Sequence, residues 1–232
     1  MNESNVASRI DRFGGGAAMV LAALMALAAI AYMLLPAEQR LGVAGRQLLP
    51  SFAANPMPLQ LEMGLLTLVG VVGLAVVRPI RQLLGRDDRW LRWTSMLAIV
   101  GYAIGAVGNS LVMGKLPGIA NAFVAADEAG KGVIAVFWRT TLDPWGLWQF
   151  GAVGVWLLVV GIVAFRSRGL SALGAYLAVA AGVAHVAIPV VLLLSAQSAL
   201  AIVALVAALV IVAWFAWVGL LLWRRAGSAP AG

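Results

Sequence analysis

The stretch "LSALGAYLAVAAGVAHVAIPVVLLL", Leu170–Leu194, runs for 25 residues without a charged side chain. As a helix rising 1.5 Å per residue it extends about 37 Å, enough to cross a hydrocarbon core of about 30 Å. An apolar run of that length decides the class: it predicts a transmembrane helix. Five more such runs lie around it. The predicted spans are 14–35, 58–77, 91–113, 144–165, 170–194 and 199–223. The chain is therefore read as one integral membrane domain covering 1–232, an all-α bundle of six transmembrane helices.

Composition agrees. Of 232 residues, 63% are hydrophobic and 11% charged, with a mean hydropathy of +0.99. Soluble domains carry about 25% charged residues, so too little polar surface remains here to cover a water-exposed globule. There is no cysteine and one histidine. Thiolate metal sites, disulfides, thiol nucleophiles and multi-histidine metal or haem sites are thereby excluded, and no metal or other cofactor is expected. The net charge of +7 does not point to nucleic acid, because the basic residues flank apolar spans. They read as topogenic charge facing anionic lipid headgroups, with the bilayer as the principal partner.

Arginine and lysine placement predicts orientation. Arg9, Arg12, Arg78, Arg81, Arg86, Arg89, Arg92, Arg166, Arg168, Arg224 and Arg225 fall on one side, and Arg40, Arg46, Lys115, Lys131 and Arg139 on the other. Eleven against five places both termini in the cytoplasm of a cell with a single inner (plasma) membrane barrier. The first span follows Arg9 and Arg12 and contains Ala29-Ile30-Ala31; it is expected to be a retained signal anchor rather than a cleaved leader. The two longer connections, 36–57 and 114–143, then face outward. The second is expected to form two short amphipathic helices broken at Gly130 and Gly132, lying in the interface or over the mouth of the bundle.

Asp143-Pro144 is a helix-start signal, with Asp as N-cap and Pro at the first helical position. Trp138, Trp145 and Trp148 cluster at that boundary, where an aromatic belt is the plainer explanation. Trp156 lies about 16 Å deeper. At 100° per residue, Trp145, Gln149, Ala152 and Trp156 share one face, which is expected to point into the protein. Small residues line two other helices. Gly101, Gly105 and Gly108 with bordering Asn109, and Gly174, Ala178 and Ala181 with His185, mark close helix packing.

Glu62 is the costliest residue in the sequence, a carboxyl about one turn inside its span, which must reach the interface, find a partner or be neutral. Under the predicted orientation Glu62, Asn109, Ser110, Gln149 and His185 all fall in the outer half of four helices. They form either an interhelical hydrogen-bond network or a cavity open outward.

At the C-terminal end "FRSRGLSALGAYLAVAAGVAHV" (165–186) and "WFAWVGLLLWRR" (214–225) resemble a family of uncharacterised bacterial six-span membrane proteins, a domain of unknown function. The shared features are an Arg-rich turn leading into a small-residue helix and a last span ending in basic residues. The resemblance covers the last third of the chain, implies a six-span fold, and supplies no activity and no site residue.

Three functions fit these residues. The leading one is a non-catalytic accessory, sensor or interaction protein that packs through its small-residue faces against a membrane-protein partner or a second copy of itself. The second is a binding protein for a lipophilic small molecule, or an intramembrane enzyme of the terpene-cyclase kind acting on a polyprenyl-type substrate. There Glu62 and His185 are the candidate acid and base, with Asn109, Trp145, Trp148, Gln149 and Trp156 as candidate ligand-binding residues and the rings stabilising a carbocation. The third is a small-molecule transporter, which lacks the broken helices and midplane charges typical of ion-coupled carriers. A ligand-sized void between Glu62, Trp156 and His185 separates the second from the first.

Overall fold

The computed structural model describes residues 3–85, 88–138, 142–167 and 169–228. Arg86, Arg139 and Arg168, counted above for orientation, lie outside them. The described residues form eight α-helices and no strand. These are α1 (Glu3–Leu34), α2 (Gly45–Ala54), α3 (Met57–Leu83), α4 (Arg89–Ala125), α5 (Glu128–Phe137), α6 (Val153–Ser167), α7 (Ala172–Leu193) and α8 (Gln197–Ser228). A 3₁₀ turn at Ala37–Gln39 precedes α2, and a π-helical segment, Leu147–Ala152, leads into α6.

Six segments are long and apolar enough to cross a membrane: Asp11–Leu34, Met57–Leu83, Arg89–Ala125, Leu147–Ser167, Ala172–Leu193 and Ala199–Gly227. The all-α, six-span bundle is thus the architecture of the chain. Its helices close a ring. α1 packs on α3, α3 on α4, α4 on α6, α6 on α7, α7 on α8, and α8 returns to α1. Each span therefore neighbours the next in the chain, as short connections favour.

Glycine sets the seams of this ring. A Cβ on Gly154 of α6 would stand 2.9 Å from the Gly182 carbonyl of α7, and one on Gly182 would stand 2.8 Å from the Gly154 carbonyl. Between α3 and α4, a Cβ on Gly70 would meet the Ala106 nitrogen at 2.6 Å. Between lipid tails as apolar as leucine, such backbone-to-backbone approach is what supplies helix–helix attraction. The small-residue face of α7 is packed as its spacing predicts: Gly174 receives the Trp217 ring, and Ala178 and Ala181 are fully buried. On α4, Gly101 and Gly105 press against Trp148 and Gln149, whereas Gly108 has no atom within 4 Å of its Cβ position and departs from the expected stripe.

The outer connections differ from the sequence reading in two places. α4 does not stop at Met113 but continues through Gly114, Pro117 and Gly118 to Ala125. The break falls at Ala126-Asp127 rather than at Gly130 and Gly132, which both lie inside α5. The reason is local. The Asp127 carboxylate accepts from the Gly130 N–H at 2.8 Å, and an N-cap of that kind fixes a helix start more strongly than glycine ends one. The extension of α4 is held by α2. Leu48, Leu49 and Phe52 of α2 pack on Leu116, Ala120 and Phe123 of α4, together with Leu35 and Leu59.

The bundle has two unlike ends. At one, α1 begins beside the end of α8, with the Arg12 guanidinium 5.5 Å from the centroid of the Trp223 ring. Gly169 lies against Leu83 and Leu84 there, and Arg225 donates to its carbonyl at 3.3 Å. Arg78, Arg81, Arg166, Arg224 and Arg225 belong to this basic end. The helices α2 and α5 and the extension of α4 cap the other.

Candidate functional site

The capped end holds a cavity of about 390 Å³, lined by residues of all six spans. Its floor is built first, from the aromatic core. Trp156 is 0% exposed and stands edge-on to Tyr102 and Trp214, with ring centroids 6.5 Å and 6.2 Å away. Phe215 stacks edge-on against Trp214 at 4.8 Å. Beneath these rings Leu21, Val76, Ile80, Leu91, Leu157, Val160, Val218 and Leu222 fill the rest of the ring toward the basic end. The cavity therefore opens at the capped end and is closed below.

Span four enters in a way that periodicity did not predict. The chain turns at Gly146 in the left-handed region, φ +68°, and the Asp143 carboxylate accepts from the N–H groups of Trp148 and Gln149 at 2.9 Å and 2.8 Å. Asp143 is thus a cap, as expected, but it caps a helix that starts at Leu147 instead of Pro144. The Gly151 N–H bonds back five residues to the Gly146 carbonyl at 3.2 Å, the widened π register that often accompanies functional sites. Trp145 precedes this helix and so does not share a helical face with Trp156. Trp145 stays at the cavity mouth, 42% exposed, while Trp148 is equally exposed and does not line the cavity. Trp156 does not line it either, being sealed in the floor. The continuous aromatic wall expected from 100° spacing is absent.

The polar residues do gather. Glu62, Asn109, Gln149 and His185 all line the cavity, from α3, α4, the π-helical segment and α7. Ser110 is exposed on the opposite side of α4 and takes no part. Asn109 donates from Nδ2 to the Gly105 carbonyl at 2.8 Å and to Gln149 Oε1 at 3.3 Å. His185 places Nδ1 3.0 Å from the Ala181 carbonyl. The tautomer that bonds there carries its proton on Nδ1, which leaves Nε2 an acceptor. One turn on, Pro189 has no N–H, so the His185 carbonyl also lacks its helical donor. Phe150 tilts over the imidazole with ring centroids 6.3 Å apart. Glu62 is 7% exposed, and no hydrogen bond or ion pair among the described residues reaches its carboxyl.

Four further lining residues were not singled out in the sequence. Tyr102 stands at the floor with its buried hydroxyl unpartnered. Its spacing was legible, since Tyr102, Ala106 and Asn109 fall on one face of α4, but a tyrosine among glycines reads as packing. Tyr32 of α1 lies within electrostatic reach of Glu62. Gln39 is buried and donates from Nε2 to the Ser51 and Asn55 carbonyls at 3.1 Å and 2.9 Å, leaving its Oε1 unpartnered in the same wall. Arg40 donates to the Leu35 and Met33 carbonyls at 3.3 Å and 3.4 Å, capping the end of α1 at the rim. Nothing in the periodicity of a loop could have shown the last two.

Over the rim, Glu128 of α5 bonds Lys131 at 3.0 Å and Arg46 of α2 at 3.3 Å. The Lys131 hydrogen bond, and then its charge, hold this exposed carboxyl below the usual range, with Arg46 adding to both effects. The two short outer helices are tied by this carboxylate. Comparison with protein-family models, curated proteins and solved structures finds no match to this chain.

Proposed function

We propose that this protein binds a small lipophilic molecule in the outer half of its membrane bundle. A single observation carries the reading: one cavity of about 390 Å³ into which every span contributes, with buried polar side chains on its wall. Its volume lies in the range of roughly 300–1,000 Å³ usual for small-molecule sites. A bundle built only to pack against a partner has no reason to keep such a void, since empty space forfeits dispersion contacts. Nor has it reason to line the void with Glu62 and His185, whose burial is costly. The chain thereby looks more like a ligand-binding membrane protein than a packing partner.

The cyclase reading loses the wall of tryptophans assigned to it: of the three only Trp145 borders the cavity, at its mouth. Glu62 and His185 act here as recognition groups, with Asn109 and Gln149 beside them. The orientation that places the mouth outside the cytoplasm, in the inner membrane, rests on the arginine and lysine bias.

Native mass spectrometry of the full chain, released gently from detergent micelles, tests the proposal. The expected result is one small-molecule adduct on the wild type, absent from both Leu66→Trp and Val112→Phe, which fill the cavity from α3 and α4. Adducts of equal abundance on the filled variants, or a wild type that is bare while annular lipid is still retained, would overturn it.

A further inference from the structure

The unused hydrogen-bonding capacity around the cavity is lopsided, and this bears on what fills it. Asn109 has spent Nδ2 on Gly105 and Gln149, leaving Oδ1 as its free lone-pair atom. Gln39 has likewise spent Nε2 and keeps Oε1 unpartnered. His185 has committed Nδ1 to the Ala181 carbonyl, so Nε2 faces as an acceptor. Glu62 adds two carboxyl oxygens that receive no hydrogen bond among the described residues, both of them acceptors once the group is ionised. Against these stand few donors: the Gln149 amide and the hydroxyls of Tyr32 and Tyr102, which can also accept.

Among the described residues that line the cavity the one cation is Arg40, which is partly buried and already serves the carbonyls of Met33 and Leu35. It makes no ion pair with Glu62 among the described residues. The deeper carboxyl of Glu62 has no hydrogen-bond or ion-pair partner among the described residues, and inside a membrane bundle it can carry its charge only against a counter-charge with N–H groups. The rings of Tyr32, Tyr102 and Phe150 in the same lining suit a cation further.

We infer that the ligand is a lipophilic amine, bound as its ammonium with the N–H groups on Glu62 and on the acceptor atoms of Asn109 and His185. The apolar lining contributed by Met25, Met63, Leu66 and Ile188 holds its hydrocarbon part. This identification rests on the reading of the cavity as a ligand site and adds the chemical class of the head group.

The test uses the full chain in nanodiscs of zwitterionic lipid, titrated calorimetrically with dodecylamine, dodecanol and dodecanoic acid, with empty discs subtracted. The amine should bind saturably and at least about tenfold more tightly than the alcohol. Glu62→Gln should remove that preference while melting no lower than the wild type, which a misfolded variant could not do. An alcohol that binds as well as the amine, or an amine preference that survives in Glu62→Gln, overturns the amine assignment and leaves the cavity reading standing. An acid that binds most tightly and is lost in Arg40→Gln moves recognition to the rim, with the same consequence. Saturable binding of none of the three, in wild type and filled variants alike, overturns both.

Discussion

Glu62→Met should make the empty protein more stable. The carboxyl is 7% exposed and receives no hydrogen bond among the described residues, so folding strips it of water without replacement. Mutational data place the cost of such a buried unpaired polar group at about 1–3 kcal/mol, more when it is charged. Methionine has a similar length and fits the irregular wall without overpacking. Its burial removes that cost and adds apolar contact with neighbours such as Met63 and Leu66, which line the same void. A gain of about 1–3 kcal/mol corresponds, at roughly 2–4 °C per kcal/mol for a chain of this size, to a melting temperature higher by several degrees. Glu62→Gln should gain less, because an amide in the same place still lacks partners. Intrinsic-fluorescence melts of ligand-stripped protein in one detergent measure all three. A Glu62→Met variant less stable than wild type by about 1 kcal/mol or more would mean the carboxyl holds the fold together, and the recognition role argued from its lack of partners would fall.

Other outcomes follow from the seams, the floor and the cap. Gly154→Leu or Gly182→Leu drives a side chain into backbone less than 3 Å away and should cost at least about 1–3 kcal/mol in the same melts; unchanged melting would mean that α6 and α7 do not touch there. Trp156, left as the only tryptophan with the others replaced by phenylalanine, should escape quenching by mid-chain brominated lipids, whereas Trp148 alone should be quenched by bromines near the headgroups. Cysteines at Arg89 and Glu128, probed in intact cells with an impermeant thiol reagent, should label at 128 and not at 89; the reverse would invert the orientation. The Glu128 tie has a pH sign. Its folded-state pKa is depressed, so its contribution is present above the ordinary carboxylate range and lost as the pH falls through the lowered value. Protection factors of the α5 amides, corrected for the intrinsic pH dependence of exchange, should therefore fall at acid pH and at high salt, and equal protection in Glu128→Gln and wild type at neutral pH would show that the tie contributes nothing.

The spans were legible because hydrocarbon imposes one solution on the backbone, and runs such as Leu170–Leu194 state it without ambiguity. The packed faces of α4 and α7 were legible for the same reason, since only small residues let helices approach, as Gly174 does beneath Trp217 and Gly105 at Gln149. The limits of the sequence reading lie at helix ends, where a few hydrogen bonds outweigh periodicity. Asp127 moved a break by three residues by taking the Gly130 N–H, and nothing apolar in the pattern marked that. Asp143, with Gly146 at positive φ, bent the entry of span four into a π register. Extrapolating 100° per residue from Trp145 then joined it to the face of Trp156, although the helix begins only at Leu147. Gln149 and Trp156 survived that error because each is held by something other than its own helix. Asn109 of α4 fixes the one and Tyr102 with Trp214 the other.

The division of the bundle into a filled half and a hollow half has a physical origin in where the large side chains fall. Trp156 and Trp214 sit at nearly the same depth on α6 and α8 and meet edge-on at 6.2 Å, spanning the ring from both sides. With Tyr102 arriving from α4, three rings close the interior at one level, and a single turn of branched residues beneath them is enough to complete the floor. Toward the other end the inward positions include Ala28, Gly105, Ala204, Ala207 and Ala208, which leave space across a six-helix ring that the larger lining residues do not fill. Such a ring must then either collapse or keep a void, and the seams at Gly70, Gly154 and Gly182 already hold the helices as close as backbones allow. Collapse is thus blocked by the seams. The upper half stays open, and polar side chains from three helices, Glu62, Gln149 and His185, are left on its wall.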